Sequence, residues 1–390
     1  MADQPSEAAM GSLVGAAPTL GVEEEFLLVD ALTGEPVPHG GEVVESVRSR
    51  FGVALDVELA ASQVEVQTPV CRDLADVRRQ LHGLRLVAAE AAHRLGHRLL
   101  AVGAPPVGGP DVVISDRERY RALGEDYRLL AGEQSICGCH VHVAVPDPET
   151  AVQVCNHVRP WLPVLGTLTA NSPFTRGRDT GYASWRSIVW SRWPTAGPPP
   201  YFESLAHYES TCDALLAAGA IRDRRMVYWD VRPSAHLPTV EVRVADVAAT
   251  VDEAVLLAAL VRALVVAALA DLGRGLRATP VPTEVLRAAC WRSARDGIGG
   301  QALDVLSGRL LPARLLLDRL LHHVHDHLDH ADGELVGQLV STLDGNGGGA
   351  ARQRRAFARA GRMWDVLDHL AADTLSGAET WTGEPFGRTA

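Results

Sequence analysis

Apolar and polar residues alternate with a period of two in six short stretches of the chain, the pattern of half-buried β-strands. These stretches lie near residues 19–29, 53–58, 63–68, 98–103, 136–145 and 239–246. Between them, apolar residues recur at helical spacing over residues 74–95, 148–168 and 250–271. Strands and helices follow one another in a mixed order, which favours an α+β fold with an antiparallel or mixed sheet and helices packed on one face.

The length and apolar content of the chain allow a large hydrophobic core. The chain has 390 residues, of which 47% are hydrophobic. We find no internal repeat and no low-complexity linker, so we predict one domain over residues 19–375. Its C-terminal part, from about residue 280, is predicted to be all helical. A flexible N-terminal tail (1–18) and a C-terminal tail (376–390) are predicted to flank this domain.

The N-terminus and the cysteines indicate a cytoplasmic protein. The first ten residues have no basic region leading into an apolar stretch, so they are a poor signal peptide. The most apolar run, residues 255–270, contains Arg262 and is shorter than a membrane span, which predicts a buried core helix and no membrane partner. Six cysteines without paired spacing are expected to stay reduced.

The charge balance restricts the partners and the chemistry. A formal net charge of -11 argues against a nucleic-acid partner, because phosphate binding depends on concentrated positive charge. The chain contains no lysine. This excludes the lysine-containing phosphate loop and every mechanism with a catalytic lysine. If ATP binds, arginine and Mg²⁺ must hold its phosphates.

Three acidic segments are predicted to point carboxylates to one place. Glu23 and Glu25 are two residues apart on a strand and therefore share a face. Glu58 and Glu65 are seven apart and converge only if residues 60–62 form a turn or a bulge. Clustered carboxylates must become protonated, pair with arginine or bind a cation, and oxygen ligands suit Mg²⁺ or Mn²⁺. The alternative for Glu23 and Glu25 is a solvated acidic edge strand, and the alternative for the next segment is a solvated Glu58 with only Glu65 pointing inward.

The segment Cys137–Val143 (CGCHVHV) resembles a zinc site in composition, but its strand parity opposes that interpretation. The cysteines share one face with valines, whereas His140 and His142 occupy the other face. The thiols and imidazoles therefore cannot meet at one ion. The two histidines could bind a metal or phosphate oxygens, and the alternative is that each is an ordinary sheet histidine.

Glu241 and Arg243 share a strand face in the same way, opposite three valines. A carboxylate for a metal and a guanidinium for a substrate carboxylate fit this alternation, as does a simple cross-strand ion pair. Arg232 lies just upstream. Residues 172–202 are rich in Gly, Pro, Trp and Arg and are predicted to form a functional loop over the sheet. In that loop, Arg186 is a candidate for substrate contact, or for packing alone together with Trp185, Arg192 and Trp193.

These segments together resemble one protein family. The motifs are Gly21–Phe26, Cys137–Val143, Tyr182–Ser187 with Trp193–Pro198, Trp229–Ser234 leading to Glu241–Arg243, and Gly345–Gly347 followed by Arg352–Arg355. In this order they resemble the YbdK-like carboxylate-amine ligases, also called glutamate-cysteine ligase type 2. The resemblance covers residues from about 19 to 357. Cys139 departs from the family pattern, in which a polar residue such as Gln is expected.

The resemblance implies a single catalytic domain with the glutamine synthetase and guanido kinase-like fold, an antiparallel sheet cupping Mg²⁺ and ATP. It implies an ATP-dependent ligase that joins glutamate to cysteine, or to another amine, through an acyl phosphate. The implied metal ligands are Glu23, Glu25, Glu58, Glu65, His140 and Glu241. The implied nucleotide contacts are Arg232, His142 and Arg186. Glu23, Glu25, Glu241 and Arg243 would carry the catalysis, with Arg243 on the acid substrate, and a homodimer is a family expectation.

Two alternative functions are considered, one based on the same carboxylates and one based on a separate histidine-rich stretch. A metal-dependent amidohydrolase would use the carboxylates and His140 to activate water, and it would turn over without ATP. A non-enzymatic metal-binding protein is suggested by the histidines between His322 and His330, where His323 and His327 are four residues apart. A solvated helix face is the favoured interpretation of that stretch, because exposed histidines on a polar helix need no metal.

Overall fold

The computed structural model describes residues 17–109 and 111–377. Most of the two predicted tails lies outside these residues. The strands are β1 (Leu20–Asp30), β2 (Asp56–Val57), β3 (Gln63–Gln67), β4 (His97–Leu100), β5 (Gly138–Ala144), β6 (Phe174–Thr175), β7 (Arg178–Asp179), β8 (Val231–Pro233), β9 (Thr239–Asp246), β10 (Gln301–Asp304) and β11 (Arg309–Pro312). The α-helices are α1 (Gly40–Phe51), α2 (Leu74–Arg94), α3 (Glu118–Tyr127), α4 (Leu129–Gly132), α5 (Pro148–Val158), α6 (Leu162–Leu168), α7 (Trp185–Trp190), α8 (Leu205–Ala217), α9 (Val251–Gly273), α10 (Thr283–Asp296), α11 (Ala313–Val324), α12 (His330–Asn346), α13 (Gly349–Ala358) and α14 (Met363–Thr374).

One antiparallel sheet forms the centre of the fold. Its strand order is β2-β3-β1-β5-β9-β8, with β4 paired to β1. Every pairing in this sheet is antiparallel. The predicted α+β class with an antiparallel sheet is therefore confirmed, and all six predicted strand regions contain a strand.

The apolar face of the sheet packs against helices. Alternate valines of the central strands are buried in one cluster with apolar residues of α2, α5, α6 and α9. Helix α9 passes through this cluster after a capping box formed by Thr250 and Glu253. By length and composition α9 could cross a membrane, but most of its apolar residues are buried inside the protein. The prediction of a core helix over residues 255–270 agrees with this position.

A buried ion pair links the sheet to the helices behind it. Glu24 and Arg85 have no exposed surface. Arg85 donates two hydrogen bonds to the Glu24 carboxylate, at 2.8 and 2.5 Å. Its remaining N–H groups donate to the carbonyls of Ala248, Ala249 and Thr374, at 2.9 to 3.2 Å. Glu24 thus faces away from Glu23 and Glu25, as strand alternation requires.

Three sequence expectations need correction. Residues after 279 are not all helical, because β10 and β11 form an antiparallel hairpin whose turn contains Gly308 at φ +68°. The helix predicted over 148–168 is interrupted by a 3-10 turn at Arg159–Trp161, where Pro160 has no backbone N–H to donate. The segment 172–202 is not only a loop, since it contains the β6–β7 hairpin and helix α7.

We expect Arg85→Met to lower the free energy of unfolding by about 3–5 kcal/mol, because it leaves the Glu24 carboxylate buried without its partner. Urea unfolding followed by circular dichroism measures this loss. Arg48→Met is the matched control, since the Arg48–Glu45 pair is exposed and contributes less than about 1 kcal/mol. The double variant Glu24→Gln/Arg85→Met should be less destabilised than the sum of its single variants; strict additivity would contradict a coupled pair.

Candidate active site

The face of the sheet opposite the helices carries the predicted site residues. Strand pairing sets Glu23 opposite His140 and Glu25 opposite Glu65. Residues directly opposite each other have side chains within about 5 Å. A cavity of about 220 Å³ opens over this face and is lined by Glu23, Glu25, Glu65 and His140. The parity argument for β1 and β5 therefore describes the arrangement correctly.

Glu58 joins the same cavity through a turn before β3. Ala60 pairs with Ile114, and the Gln63 N–H donates to the Ala60 carbonyl at 2.9 Å, so the chain reverses between Glu58 and Glu65. Both carboxylates line the cavity. The predicted turn at residues 60–62, and with it the convergence of Glu58 with Glu65, is confirmed.

The carboxylates of this cluster compete for few positive neighbours. Burial, reinforced by the charge of Glu25, raises the pKa of Glu58 to about 8. Burial and the neighbouring glutamates raise the pKa of Glu65 well above its ordinary value. Burial also acts to raise the pKa of Glu23, but hydrogen bonds with His140 and His142 outweigh it and hold this pKa far below its ordinary value. A cation in the cavity would allow all of these carboxylates to ionise.

Two sets of possible ligand atoms fit a metal ion. Glu23, His142 and Glu241 form one set, and Glu23, Glu65 and His140 form the other; within each set the atoms lie within 4.8 Å of one another. The ring of His142 is held by a 3.1 Å hydrogen bond between Nδ1 and the Thr239 hydroxyl. Its Nε2 faces two carboxylates, at 3.2 Å from Glu23 Oε1 and 3.9 Å from Glu241 Oε1. A ring oriented by a hydrogen bond at one nitrogen, with the other nitrogen turned toward carboxylate ligands, is typical of metal-binding histidines.

The cysteines of the same strand take no part in these sets. Cys139 is fully buried among the valines on the helix side of the sheet. Because Cys139 faces away from His140, the zinc interpretation of this segment fails for the reason expected from strand parity. The ligand sets are rich in carboxylate oxygen, which suits Mg²⁺ or Mn²⁺.

A β-bulge places Arg243 over the cluster. Strand β9 sets two residues, Arg243 and Val244, opposite His140 alone. Arg243 lines the cavity and pairs with Glu241. Burial lowers the pKa of Arg243, but the Glu241 charge outweighs it and keeps the guanidinium ionised. Bulges near active sites commonly re-aim a side chain in this way.

Arg232 lies farther back than the sequence suggested. Its Nε donates to the Glu241 carboxylate at 2.7 Å, and its Nη1 donates to the carbonyls of Arg225 and Val227. Arg232 does not line the cavity. Burial acts to raise the pKa of Glu241, but Arg243 and then Arg232 outweigh it and hold this pKa well below its ordinary value.

Arg186 enters the site from helix α7, which begins after the N-cap Ser184. Its guanidinium is buried beside the Asp246 carboxylate, at 3.9 Å, and its Nε has no hydrogen-bond partner among the described residues. Gly138 makes room for it, since a Cβ there would lie 2.5 Å from Arg186 Nη2. Of the other aromatic and basic residues proposed for this segment, Trp193 lines the same cavity, whereas Trp185 and Arg192 lie on another surface.

The family is decided by comparison with known proteins. The model of the glutamate-cysteine ligase family 2 (GCS2) matches residues 19–369. The chain belongs to this family. A relative from Nocardia farcinica is 52% identical over 93% of this chain and 94% of its own length. One from Mycolicibacterium vanbaalenii is 50% identical over 92% of this chain and 98% of its own. Both names begin "Putative glutamate--cysteine ligase 2".

Solved structures with low sequence identity share the fold of this family member. The glutamate-cysteine ligase of Francisella tularensis, solved in complex with AMP, has a TM-score of 0.68 at 12% identity and covers 93% of this chain and 89% of its own. A bifunctional glutathione synthetase from Pasteurella multocida has a TM-score of 0.67 at 16% identity and covers 95% and 54%. Family membership confirms the predicted class, an ATP-dependent ligase that forms a carbon–nitrogen bond.

The histidine-rich stretch does not form a metal site among the residues the structure describes. Helix α11 ends at Val324 and continues as a 3-10 turn, so His323 and His327 do not share one regular helix. His323 instead stacks on Trp161, with ring centroids 5.0 Å apart. The two metal-ligand sets found within residues 17–109 and 111–377 both lie on the sheet. The geometry therefore removes the basis of the non-enzymatic hypothesis.

Several residues that line the cavity were not singled out from the sequence. One is Gln63, the first residue of β3, and the others come from segments with no strand alternation, namely Arg119, Tyr120, Gln134, Trp190, Arg225 and Tyr228. Tyr120 is positioned by a 3.0 Å hydrogen bond from its hydroxyl to the Val57 carbonyl. The aromatic rings of Trp190, Trp193 and Tyr228 contact one another and close one side of the ligase site.

Asp230 is a buried carboxylate next to this site that the sequence reading left without a role. The residue is 6% exposed, and its side chain makes no hydrogen bond or ion pair with any described residue. Burial raises the pKa of Asp230 to about 6, and the charges of Arg186, Arg243 and Arg287 offset part of that rise. An unpaired buried carboxylate destabilises the fold and is therefore a candidate for ligand contact.

We expect Asp230→Asn to stabilise the protein in a pH-dependent way. The folded-state pKa of about 6 exceeds the unfolded value of about 3.9, so the wild type loses stability as pH rises from about 4 to 6. The variant lacks this loss, and its advantage should grow to about 3 kcal/mol above pH 6. Urea unfolding at pH 4.5 and 7.5 measures it. Asp326→Asn, at an exposed position, is the control, and an advantage equal at both pH values would contradict the burial argument.

Proposed function

We propose that this protein joins the γ-carboxylate of glutamate to the amine of cysteine, with ATP, to form γ-glutamylcysteine through an acyl phosphate. The observation that carries the proposal is the meeting of four carboxylates with His140 and four arginines, among them Arg186 and Arg243, in one cavity. Negative side chains beside guanidinium groups suit a reaction in which both metal-bound phosphates and a substrate carboxylate must be held. The names of the 50% identical relatives support glutamate and cysteine as substrates.

The carboxylate cluster would hold Mg²⁺. The ligands we assign are Glu23, Glu25, Glu58, Glu65, His140 and Glu241. Bound Mg²⁺ would supply neutralisation of charge on the β- and γ-phosphates of ATP. Glu23 belongs to both ligand sets, so it is the residue on which we expect metal binding to depend most.

The arginines of the site would hold anions. The Nε of Arg186 is buried and free to donate, which suits a phosphate oxygen. The Nε of Arg243 is likewise buried without a partner among the described residues, and we assign Arg243 to the glutamate substrate. We assign His142 and Arg232 to the nucleotide side of the site; Arg232 acts there by holding Glu241. The AMP bound to the Francisella tularensis ligase supports an adenine nucleotide as the ligand.

Two displacements make up the reaction. A substrate carboxylate oxygen attacks the γ-phosphorus of ATP, and ADP leaves with the electron pair of the broken P–O bond. The neutral amine then attacks the acyl carbon, the C–O bond breaks, inorganic phosphate leaves with its electron pair, and the phosphate takes up the proton that the amine nitrogen loses. The acyl phosphate must be kept from water between the two steps. Trp190, Trp193 and Tyr228 supply an apolar wall for this purpose. We place the reaction in the cytoplasm, where ATP and reduced cysteine are present.

We expect Glu23→Gln to lower turnover by at least about 100-fold while the protein stays folded, since it removes a charge shared by both ligand sets. Phosphate release from ATP with Mg²⁺, glutamate and cysteine measures turnover, and mass spectrometry identifies the condensed product. Thermal stabilisation by Mg²⁺ should be lost in the same variant. Glu45→Gln, at an exposed helical position, is the control. Normal turnover of Glu23→Gln would remove Glu23 from the metal site.

The same assay separates the ligase from an amidohydrolase. A ligase releases phosphate only when an amine is supplied, and its product has the summed mass of its substrates less water. Hydrolysis of γ-glutamyl amides without ATP would favour the amidohydrolase instead.

A further inference from the structure

A second cavity, of about 330 Å³, lies beside the carboxylate cluster at the edge of the sheet. Helices α6, α7 and α10 and the end of strand β9 enclose it. Its walls are mainly apolar, formed by Leu162, Pro163, Ile188, Ala196, Val244 and Trp291. A largely apolar cavity with few polar groups is the usual form of a small-molecule site.

Asp230 supplies the buried charge of this cavity. Asp230 lines the cavity and is a buried residue, and its carboxylate has no hydrogen-bond partner among the described residues. Trp190 Nε1, on the same wall, is also buried without a partner. A carboxylate in an apolar cavity is matched best by a cationic ligand group, because hydrogen bonds between opposite charges are the strongest.

Arg287 supplies a second charge at the rim. It is exposed on helix α10, lines the cavity, and forms no ion pair with any described residue. Asp230 and Arg287 line the same cavity without forming an ion pair with each other. A cation and an anion in one cavity with an apolar wall are complementary to a zwitterion with an apolar side chain.

The cavity shares two lining residues with the proposed ligase site. Arg186 and Trp190 line both cavities. Asp230 is the cross-strand neighbour of Arg243, whose backbone N–H donates to the Asp230 carbonyl at 2.7 Å. A ligand nitrogen held by Asp230 would therefore lie next to the residue that we assign to the acid substrate.

We propose that this second cavity binds the amine substrate, an α-amino acid with an apolar side chain, cysteine included. Its ammonium group donates to Asp230, its α-carboxylate accepts from Arg287, and its side chain packs on the apolar wall. Asp230 and Arg287 are thus residues that determine specificity for the amine. The inference rests on the proposed ligase function and adds to it the class of amine.

The test uses two pairs of amines on the full chain, L-cysteine with cysteamine and L-leucine with 3-methylbutylamine. The members of each pair differ only in the α-carboxylate. Asp230→Asn should raise the KM of all four amines by at least about tenfold, whereas Arg287→Gln should do so only for the two amino acids. The KM values for ATP and glutamate should change less than about twofold. Isothermal titration calorimetry with L-leucine, in the absence of ATP, should show a Kd raised by at least about tenfold in both variants.

Arg309→Gln is the matched control, an exposed arginine on β11 that is remote from the cavity and forms no ion pair with a described residue. Unchanged amine KM and Kd in both Asp230→Asn and Arg287→Gln would overturn the inference. A parallel loss of ADP affinity in these variants would also overturn it, because the cavity would then hold the nucleotide. If no amine supports phosphate release by the wild type, the ligase proposal fails, and the titrations of L-leucine still decide which ligand the cavity takes.

Discussion

Repulsion among the clustered carboxylates requires a rigid sheet beneath them. Ligand oxygens of Glu23 and Glu65 lie within 4.8 Å of each other. At that distance two full charges repel by roughly 3.5 kcal/mol at an effective dielectric constant of about 20. Only a rigid frame keeps such groups together without their cation, and the antiparallel sheet provides one. The pair of Glu24 and Arg85 on the opposite face fastens β1, the strand that carries two of these carboxylates, to the helices.

Much of the site follows from strand alternation. The period of two alone assigns Glu23 and Glu24 to opposite faces of the sheet, and likewise His140 and Cys139, because each strand has one polar and one apolar face. The turn between Glu58 and Glu65 was also predictable, since an odd spacing cannot otherwise bring two residues to one face. Membership of the family was visible in the order of the motifs along the chain.

What could not be predicted depends on contacts between distant segments. Strand alternation places Arg232 on the same face as the site. Only the folded structure shows that its guanidinium donates to Glu241 and to two backbone carbonyls instead of facing the cavity. Asp230 and Tyr120 have no periodic context that marks them, and their burial arises from helices elsewhere in the chain. The short hairpin of β10 and β11 was missed because four-residue strands hardly differ in pattern from a helical turn. The position of Arg352 after a glycine-rich turn makes it a candidate phosphate contact when only the sequence is considered. In the structure it is paired with Glu253 and Asp373.

The hydrogen bond from Arg85 to the Thr374 carbonyl has a consequence for synthesis of the chain. These two residues are 289 positions apart, so the guanidinium at the centre of the fold receives its last acceptor only when nearly the whole polypeptide has left the ribosome. Contacts of such long sequence separation close late, because loop entropy must be overcome first. A nascent chain that ends before α14 therefore lacks one of the carbonyls that accept from Arg85.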